Sequence, residues 1–266
     1  MILNAAIDVL SSAAPFEKVS AAAKADALRH VTLQSGFENT AEPPPNQPAR
    51  PKLPALANPG DMPKRRFGSV EGRVSLLHAV AHIEFNAIDL AFDMAARFTG
   101  EIAKMGLDAK AFARDWVRIG GEEARHFQMI EARLNALGAK YGDHLAHNGL
   151  WESAEKTKHD VLARLAIAPL ILEARGLDVT PEMMKRLRSA GDNESADVLA
   201  VIYAEEVGHV ACGKLWFDTI CAEQNLDVTE TFHKLRKTYF AGELKPPFNH
   251  DAREKAGLDK YFYEPI

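Results

Sequence analysis

Two stretches of the sequence, GGEEARHFQMIEARL at 120–134 and YAEEVGHVACGKLWF at 203–217, repeat one pattern. In each, a glutamate precedes a histidine by three positions, and apolar residues recur every three or four positions around the pair. Residues i and i+3 lie on the same side of an α-helix, so the carboxylate and the imidazole can meet one ion without bending the backbone. The pattern therefore predicts two helices that contribute matched ligands, which are Glu123/His126 and Glu206/His209.

Four long segments have helical spacing of their apolar residues, and the valine and isoleucine clusters that mark strands are absent from them. We predict helices over about 70–98, 109–137, 153–175 and 193–223. Asp108 is the expected N-cap of the second helix, and Gly100, Gly138 and Gly176 are the expected stops of the first three. A short extra helix is predicted to begin at Thr180, with Pro181 at its first position.

One glutamate falls inside the apolar stripe of each predicted helix. A buried carboxylate is costly to keep charged, so it must be protonated, paired or bound to a metal. No lysine or arginine occupies the stripe positions, whereas two divalent cations would balance four carboxylates. One Glu from each of two helices and Glu-x-x-His from each of the other two is the ligand set of dinuclear ferritin-like bundles. The predicted metal ligands are Glu84, Glu123, His126, Glu173, Glu206 and His209.

The neighbouring charges leave alternatives open. Glu122 shares a polar face with Arg118, so we expect Glu122 to point outward and Glu123 inward. Glu205 could replace Glu206 as the partner of His209. In a metal-free alternative, Arg125 and Arg175 would neutralise the glutamates together with the histidines.

Further polar residues lie close to the predicted ligands in the sequence. His78 and His82 stand one turn apart just before Glu84, and either could support the metal site or be an ordinary histidine at the edge of the core. A metal-bound histidine usually donates its other ring N–H to a carboxylate or a carbonyl. The candidate carboxylates for this contact are Asp89, Asp93 and Asp160.

Composition limits the class of protein. The 266 residues are 47% hydrophobic and 26% charged, with a formal net charge of -5. No apolar run is long enough to span a bilayer, and the N-terminus lacks the basic start of a signal peptide, so we expect a cytoplasmic protein. The negative charge disfavours nucleic acid as a partner, although PKRRFG at 63–68 is a basic cluster. The two cysteines, Cys212 and Cys221, fall on opposite faces of one helix and cannot pair.

The chain is predicted to have three parts. Residues 1–68 would form one or two short helices broken near Pro15, followed by a proline-rich arm that lies against the body of the protein. Residues 69–226 would form the four-helix bundle. Residues 227–266 would add a C-terminal helix and a tail that pack on the bundle.

Five segments together resemble a known family. They are PKRRFGSVEGRVSLLHAVAHIEFNAIDLAFD, EEARHF, YGDHLAHNGLWESAEKT, LEARGLDVTP and EEVGHVACGKLWF. They resemble a group of bacterial ferritin-like proteins, the domain-of-unknown-function family 455, over nearly the whole chain. More distantly, the metal motifs look like those of the di-iron hydroxylase that modifies a tRNA base. The resemblance implies an all-α, ferritin-like four-helix bundle and the same six ligands, and it implies no established reaction.

The ligand set therefore has to suggest the function. Iron held by carboxylates and histidines with open positions can activate dioxygen. The leading hypothesis is a di-iron oxidoreductase that uses dioxygen or peroxide on an unknown small-molecule substrate, with an electron donor if it is an oxygenase. A tRNA substrate stays open as a narrower version. The alternatives are a non-enzymatic protein that handles or stores iron, and a structural zinc or manganese protein.

Overall fold

The computed structural model describes residues 1–31, 43–62 and 67–264. These residues form two compact units, Met1–Trp151 and Glu152–Ile266. The described ranges contain helices and no β-strand, which confirms the predicted all-α bundle fold. None of the helices in these ranges has both the length and the apolar composition needed to cross a membrane. The predicted boundaries after residues 68 and 226 remain predictions.

The helices of the first unit are α1 Ile2–Ser11, α2 Pro15–Val31, α3 Val70–Lys104 and α4 Ala109–Ala136. The two long helices α3 and α4 follow each other in the sequence and pack along each other, and α1 and α2 pack against them. Ser69 caps α3 by accepting the Gly72 N–H, and Asp108 caps α4 by accepting the Ala111 N–H, as predicted for Asp108. Gly138 follows α4 with a φ of 78°, as expected for a helix stop.

The predicted end of the first long helix at Gly100 was wrong. Helix α3 continues through Gly100 to Lys104, and the left-handed residue that ends it is Gly106, with a φ of 78°. A glycine inside a helix costs only about 1 kcal/mol. Phe98 and Ile102 on either side of Gly100 are buried, so continued packing outweighs that cost.

The described part of the proline-rich arm, residues 43–62, packs on the first unit. The Ala49 N–H donates to the Leu10 carbonyl at 2.7 Å, and Leu56 pairs with Ala146 in an isolated parallel β-bridge. Arg97 on α3 donates to the Pro45 carbonyl at 3.0 Å. These contacts join residues 43–62 to α1, α3 and the loop after α4, whereas most of the basic cluster at 63–68 lies outside the described ranges.

The second unit contains a helix with an irregular middle. Helix α6 (Val161–Ile167) leads directly into a π-helix (Ala168–Glu173), which leads into α7 (Ala174–Ser189). The predicted start near residue 153 was wrong, because α5 (Gly149–Lys156) ends first and Asp160 caps α6 by accepting the Ala163 N–H. All seven residues of α6 are buried.

The predicted stop at Gly176 and the predicted N-cap at Thr180 were also wrong, because α7 runs through both positions and through Pro181. A proline inside a helix leaves the carbonyl four residues earlier without its usual donor. Here that carbonyl belongs to Leu177, and it accepts a hydrogen bond from the Asn249 side chain at 3.1 Å. A contact from a distant part of the chain therefore removes part of the proline's cost.

Helix α8 (Asn193–Glu223) packs against α7 and the π-helix, and it begins where the sequence predicted, with Asp192 as its N-cap. Helices α9 (Val228–Tyr239) and α10 (His250–Lys255) complete the unit. Cys212 and Cys221 are both buried and free, as expected. Gly213 allows a close approach, because a Cβ there would lie 2.4 Å from the Cβ of Pro169 in the π-helix.

Candidate metal centre

Three of the predicted ligands meet inside the first unit. Glu84 lies in the middle of α3, and Glu123 and His126 lie one turn apart on α4. The Nδ1 atom of His126 is 3.3 Å from a carboxylate oxygen of Glu84 and 3.3 Å from one of Glu123. All three residues are at most 4% exposed, and their donor atoms lie within 4.8 Å of one another. This cluster could hold a metal ion.

The electrostatics of the cluster depend on the two carboxylates. Burial lowers the pKa of His126, but hydrogen bonds to Glu123 and Glu84 and their negative charges raise it more, to about 11. The imidazole therefore carries a proton between two carboxylates when no metal is bound. A metal ion takes the place of such a proton, because only the neutral imidazole is a ligand.

An aromatic residue directly follows two of these ligands in the sequence. Phe85 follows Glu84 in α3, Phe127 follows His126 in α4, and their ring centroids are 5.3 Å apart. Tyr141, from the loop after α4, packs on both rings at 5.4 and 5.1 Å. Both phenylalanines are fully buried, so the three rings form part of the core of the first unit. Tyr141 was missed by the sequence analysis, because a loop residue belongs to no helical stripe.

The glutamate doublet on α4 is divided as predicted. Glu123 is buried, whereas Glu122 is partly exposed and forms an ion pair with Arg118 at 2.7 Å, one turn away. The two side chains differ in position because consecutive residues of a helix point about 100° apart. Glu122 therefore points away from the cluster, and a change at Glu122 can serve as the control for a change at the buried candidate ligand Glu123.

The other three predicted ligands belong to the second unit. Glu206 and His209 lie one turn apart on α8, with 3.6 Å between Glu206 Oε1 and His209 Nδ1, and His209 is fully buried. This contact favours the Glu206 register over the Glu205 alternative. Glu173 is partly buried and is the last residue of the π-helix. Each unit therefore carries one single glutamate and one Glu-x-x-His pair.

The arginines of the metal-free alternative are placed elsewhere. Arg175 donates to the carbonyls of Lys245 and Pro247 at 2.7 and 3.0 Å and lies 3.4 Å from Asp178. It ties the C-terminal segment to α7. Arg125 is exposed on α4. The partners of Arg175 named above are not the buried glutamates, whereas the alternative that involves Arg125 stays open.

The two extra histidines on α3 have partners in the loop after α4. His82 contacts the Tyr141 hydroxyl through Nδ1 at 2.8 Å and the His147 carbonyl through Nε2 at 3.1 Å. The Nε2 atom of His78 accepts the Gly142 N–H at 3.0 Å. Both histidines therefore hold the loop after α4 in place, as expected for ordinary histidines at the edge of the core.

The candidate aspartates also have other partners. Asp89 pairs with Lys18 at 2.5 Å, and Asp93 pairs with Arg97 at 2.6 Å. Asp160 caps α6. None of these contacts involves His126 or His209, so the structure gives these aspartates roles in helix packing and capping.

We expect His78 to make the protein less stable in mild acid. Burial first, and the nearby His144 second, lower its pKa from 6.5 to about 4. An unfolded chain would bind a proton at pH 5 that the folded chain excludes, so stability falls as pH drops from 6.5 towards 4. The expected loss from this group at pH 5 is about 2 kcal/mol. Urea unfolding at pH 7.5 and pH 5 measures it.

Two variants test the assignment to His78. In His78→Gln, the loss of stability between pH 7.5 and pH 5 should shrink by about that amount, because glutamine does not titrate. His159→Gln is the control, since this side chain is exposed. Equal pH dependence in the wild type and in His78→Gln would contradict the assignment.

The comparisons with known proteins identify a family for this chain. The family described as "Protein of unknown function (DUF455)" matches residues 11–264. An uncharacterized protein of Haemophilus influenzae is 41% identical over 223 residues, which cover 82% of this chain and 76% of that protein. No solved structure matches the chain. The match over nearly the full length shows that the chain belongs to the DUF455 family.

Proposed function

We propose that the two ligand sets act as one dinuclear iron centre and that the protein is an oxidoreductase that uses dioxygen or peroxide. The observation that carries the proposal is the buried contact of His126 with both Glu84 and Glu123 at 3.3 Å. The second unit repeats the Glu-x-x-His pair and adds another glutamate. The six proposed ligands are Glu84, Glu123, His126, Glu173, Glu206 and His209.

The donor set fits a pair of divalent cations. Four carboxylates carry four negative charges, and two divalent cations supply the same positive charge. Carboxylate oxygens and imidazole nitrogens suit iron, manganese and zinc alike. The i, i+3 spacing lets Glu123 with His126, and Glu206 with His209, reach an ion from adjacent turns of one helix. The fold thus supplies ligands from rigid helices rather than from loops.

The protein groups around the ligands have distinct roles. Glu84, Glu123 and His126 are at most 4% exposed, and this burial strengthens the attraction between the charges of the first-unit cluster. In the second unit, the π-helix carries Glu173 at its end, and π-helical turns are frequent at functional sites. Iron bound by these residues would supply one-electron chemistry with dioxygen or peroxide. This redox capacity is the reason for proposing an oxidoreductase.

Iron loading is the direct test of this proposal. Fe(II) is added anaerobically to the metal-free protein, air is admitted, and both oxygen uptake and protein-bound iron after gel filtration are measured. We expect iron to saturate at about two ions per chain, with oxygen consumed in proportion to bound iron. Zinc-loaded protein is the control and should consume no oxygen.

The same titration separates the alternatives. A protein that stores iron would continue to accumulate it far beyond two ions per chain. A structural zinc or manganese protein would hold its metal but show no oxygen uptake after iron loading. Either result would overturn the oxidoreductase proposal, and failure to retain any metal would overturn the metal centre itself.

A further inference from the structure

A small cavity lies inside the first unit, where the proline-rich arm meets α3 and the loop after α4. Its volume is about 50 Å³, whereas one water molecule needs about 10–15 Å³ by this kind of measure. Pro51, Pro54 and Leu56 of the arm form apolar walls, and Arg50 and Asn148 bring polar groups. A charged group facing a cavity with apolar walls is typical of a site for a small ligand.

Arg50 is held in place on one side only. Its Nη2 donates to Asn86 at 2.8 Å and lies 3.0 Å from Asp89, both on α3. Its guanidinium carbon lies 5.4 Å from the Phe85 ring centroid and 6.0 Å from that of Trp151. Its Nη1 is buried, and within the described part of the chain it has no hydrogen-bond acceptor. A buried donor of this kind calls for an acceptor.

The other polar groups of the cavity do not fill this need. The ring of His82 has both nitrogens engaged, with the Tyr141 hydroxyl and with the His147 carbonyl. Because Nε2 of His82 donates to that carbonyl, Nδ1 accepts the proton of the Tyr141 hydroxyl. Neither ring nitrogen is thus an available acceptor for Arg50.

The local charge also favours an anion. Lys18 is fully buried and lies 2.5 Å from Asp89, the same carboxylate that Arg50 contacts. Two basic side chains thus share one carboxylate. The next carboxylate along α3, Asp93, is held by Arg97 through three hydrogen bonds. An anion in the cavity would complete the charge balance around Arg50.

We propose that this cavity binds a small aliphatic monocarboxylate such as acetate. The planar guanidinium matches the geometry of a carboxylate, so Nη1 of Arg50 donates to the carboxylate head. The apolar end of the ligand contacts Pro51, Pro54 and Leu56. The ligand thereby fastens the arm to α3. This proposal stands independently of the metal centre, because none of the six proposed metal ligands lines the cavity.

Tryptophan fluorescence provides the test, because the Trp151 ring lies beside Arg50. The full chain is titrated with sodium acetate at constant ionic strength, with sodium fluoride as the balancing salt. We expect a saturable change in emission with half-saturation at roughly 1 mM. The change should be absent in Trp151→Phe. In Arg50→Lys, which keeps the charge but loses the planar fork, half-saturation should rise at least about tenfold.

Arg97→Lys is the matched control. Arg97 also ties the arm to α3, through the Pro45 carbonyl, but it does not line the cavity. Acetate should bind this variant as tightly as the wild type. A non-saturable response in the wild type, equal binding by Arg50→Lys, or equal weakening in Arg97→Lys would overturn the site. A chloride titration with the same saturation and the same dependence on Arg50 would overturn the carboxylate assignment in favour of a halide.

Discussion

Replacing Glu123 by glutamine should remove at least one of the two proposed metal ions, with a loss of affinity of at least about hundredfold. Glutamine keeps the shape of glutamate but loses the negative charge that attracts a cation. Glu123 is 1% exposed, and its carboxylate lies 3.3 Å from His126, so a water molecule from the solvent cannot easily replace the carboxylate as a ligand. Metal content per chain, measured by elemental analysis after dialysis, reports the result.

The adjacent glutamate provides a control at the same place in the sequence. Glu122→Gln loses a partly exposed ion pair with Arg118, which is worth at most about 1 kcal/mol. Its metal content should match that of the wild type. Unfolding midpoints of both variants in the presence of a chelator show whether either change disturbs folding by itself. Equal loss of metal in the two variants would mean that the helical register at α4 is assigned wrongly.

Replacing Gly213 by alanine should destabilise the protein by about 3 kcal/mol. The added Cβ would lie 2.4 Å from Pro169 Cβ and 2.5 Å from Pro169 Cγ, which is too close for non-bonded carbon atoms. Pro169 is rigid and belongs to the buried π-helix, so it cannot move aside cheaply. Helix α8 carries Glu206 and His209, so metal retention should fall as well. Urea unfolding and metal analysis measure the two effects.

Gly208 on the same helix is the matched control. It is exposed, and a Cβ there would meet nothing within 4 Å. Gly208→Ala should therefore stabilise the protein slightly, by about 1 kcal/mol at most, because alanine favours helix more than glycine does. If both variants had the same stability, the contact between α8 and the π-helix would not be the constraint that the structure indicates.

The sequence alone was sufficient wherever the signal was local. The N-cap at Asp108 was predicted because a capping side chain acts within three residues of its own position. The burial of Glu84 and Glu123, and the outward position of Glu122, followed from the angular spacing of residues on a helix. The all-α class followed from the same periodicity over long segments.

Some local features depend on residues that are far apart in the sequence, and only the tertiary structure determined these features. The chain continues as helix through Pro181 because Asn249 supplies a donor to the Leu177 carbonyl from about seventy positions away. The π-helix packs its Pro169 into the space that Gly213 leaves, and neither residue predicts this alone. Arg50 meets Asp89 only after the arm has folded onto α3. Local patterns encode helices and their faces, whereas contacts between remote segments depend on which faces pack together.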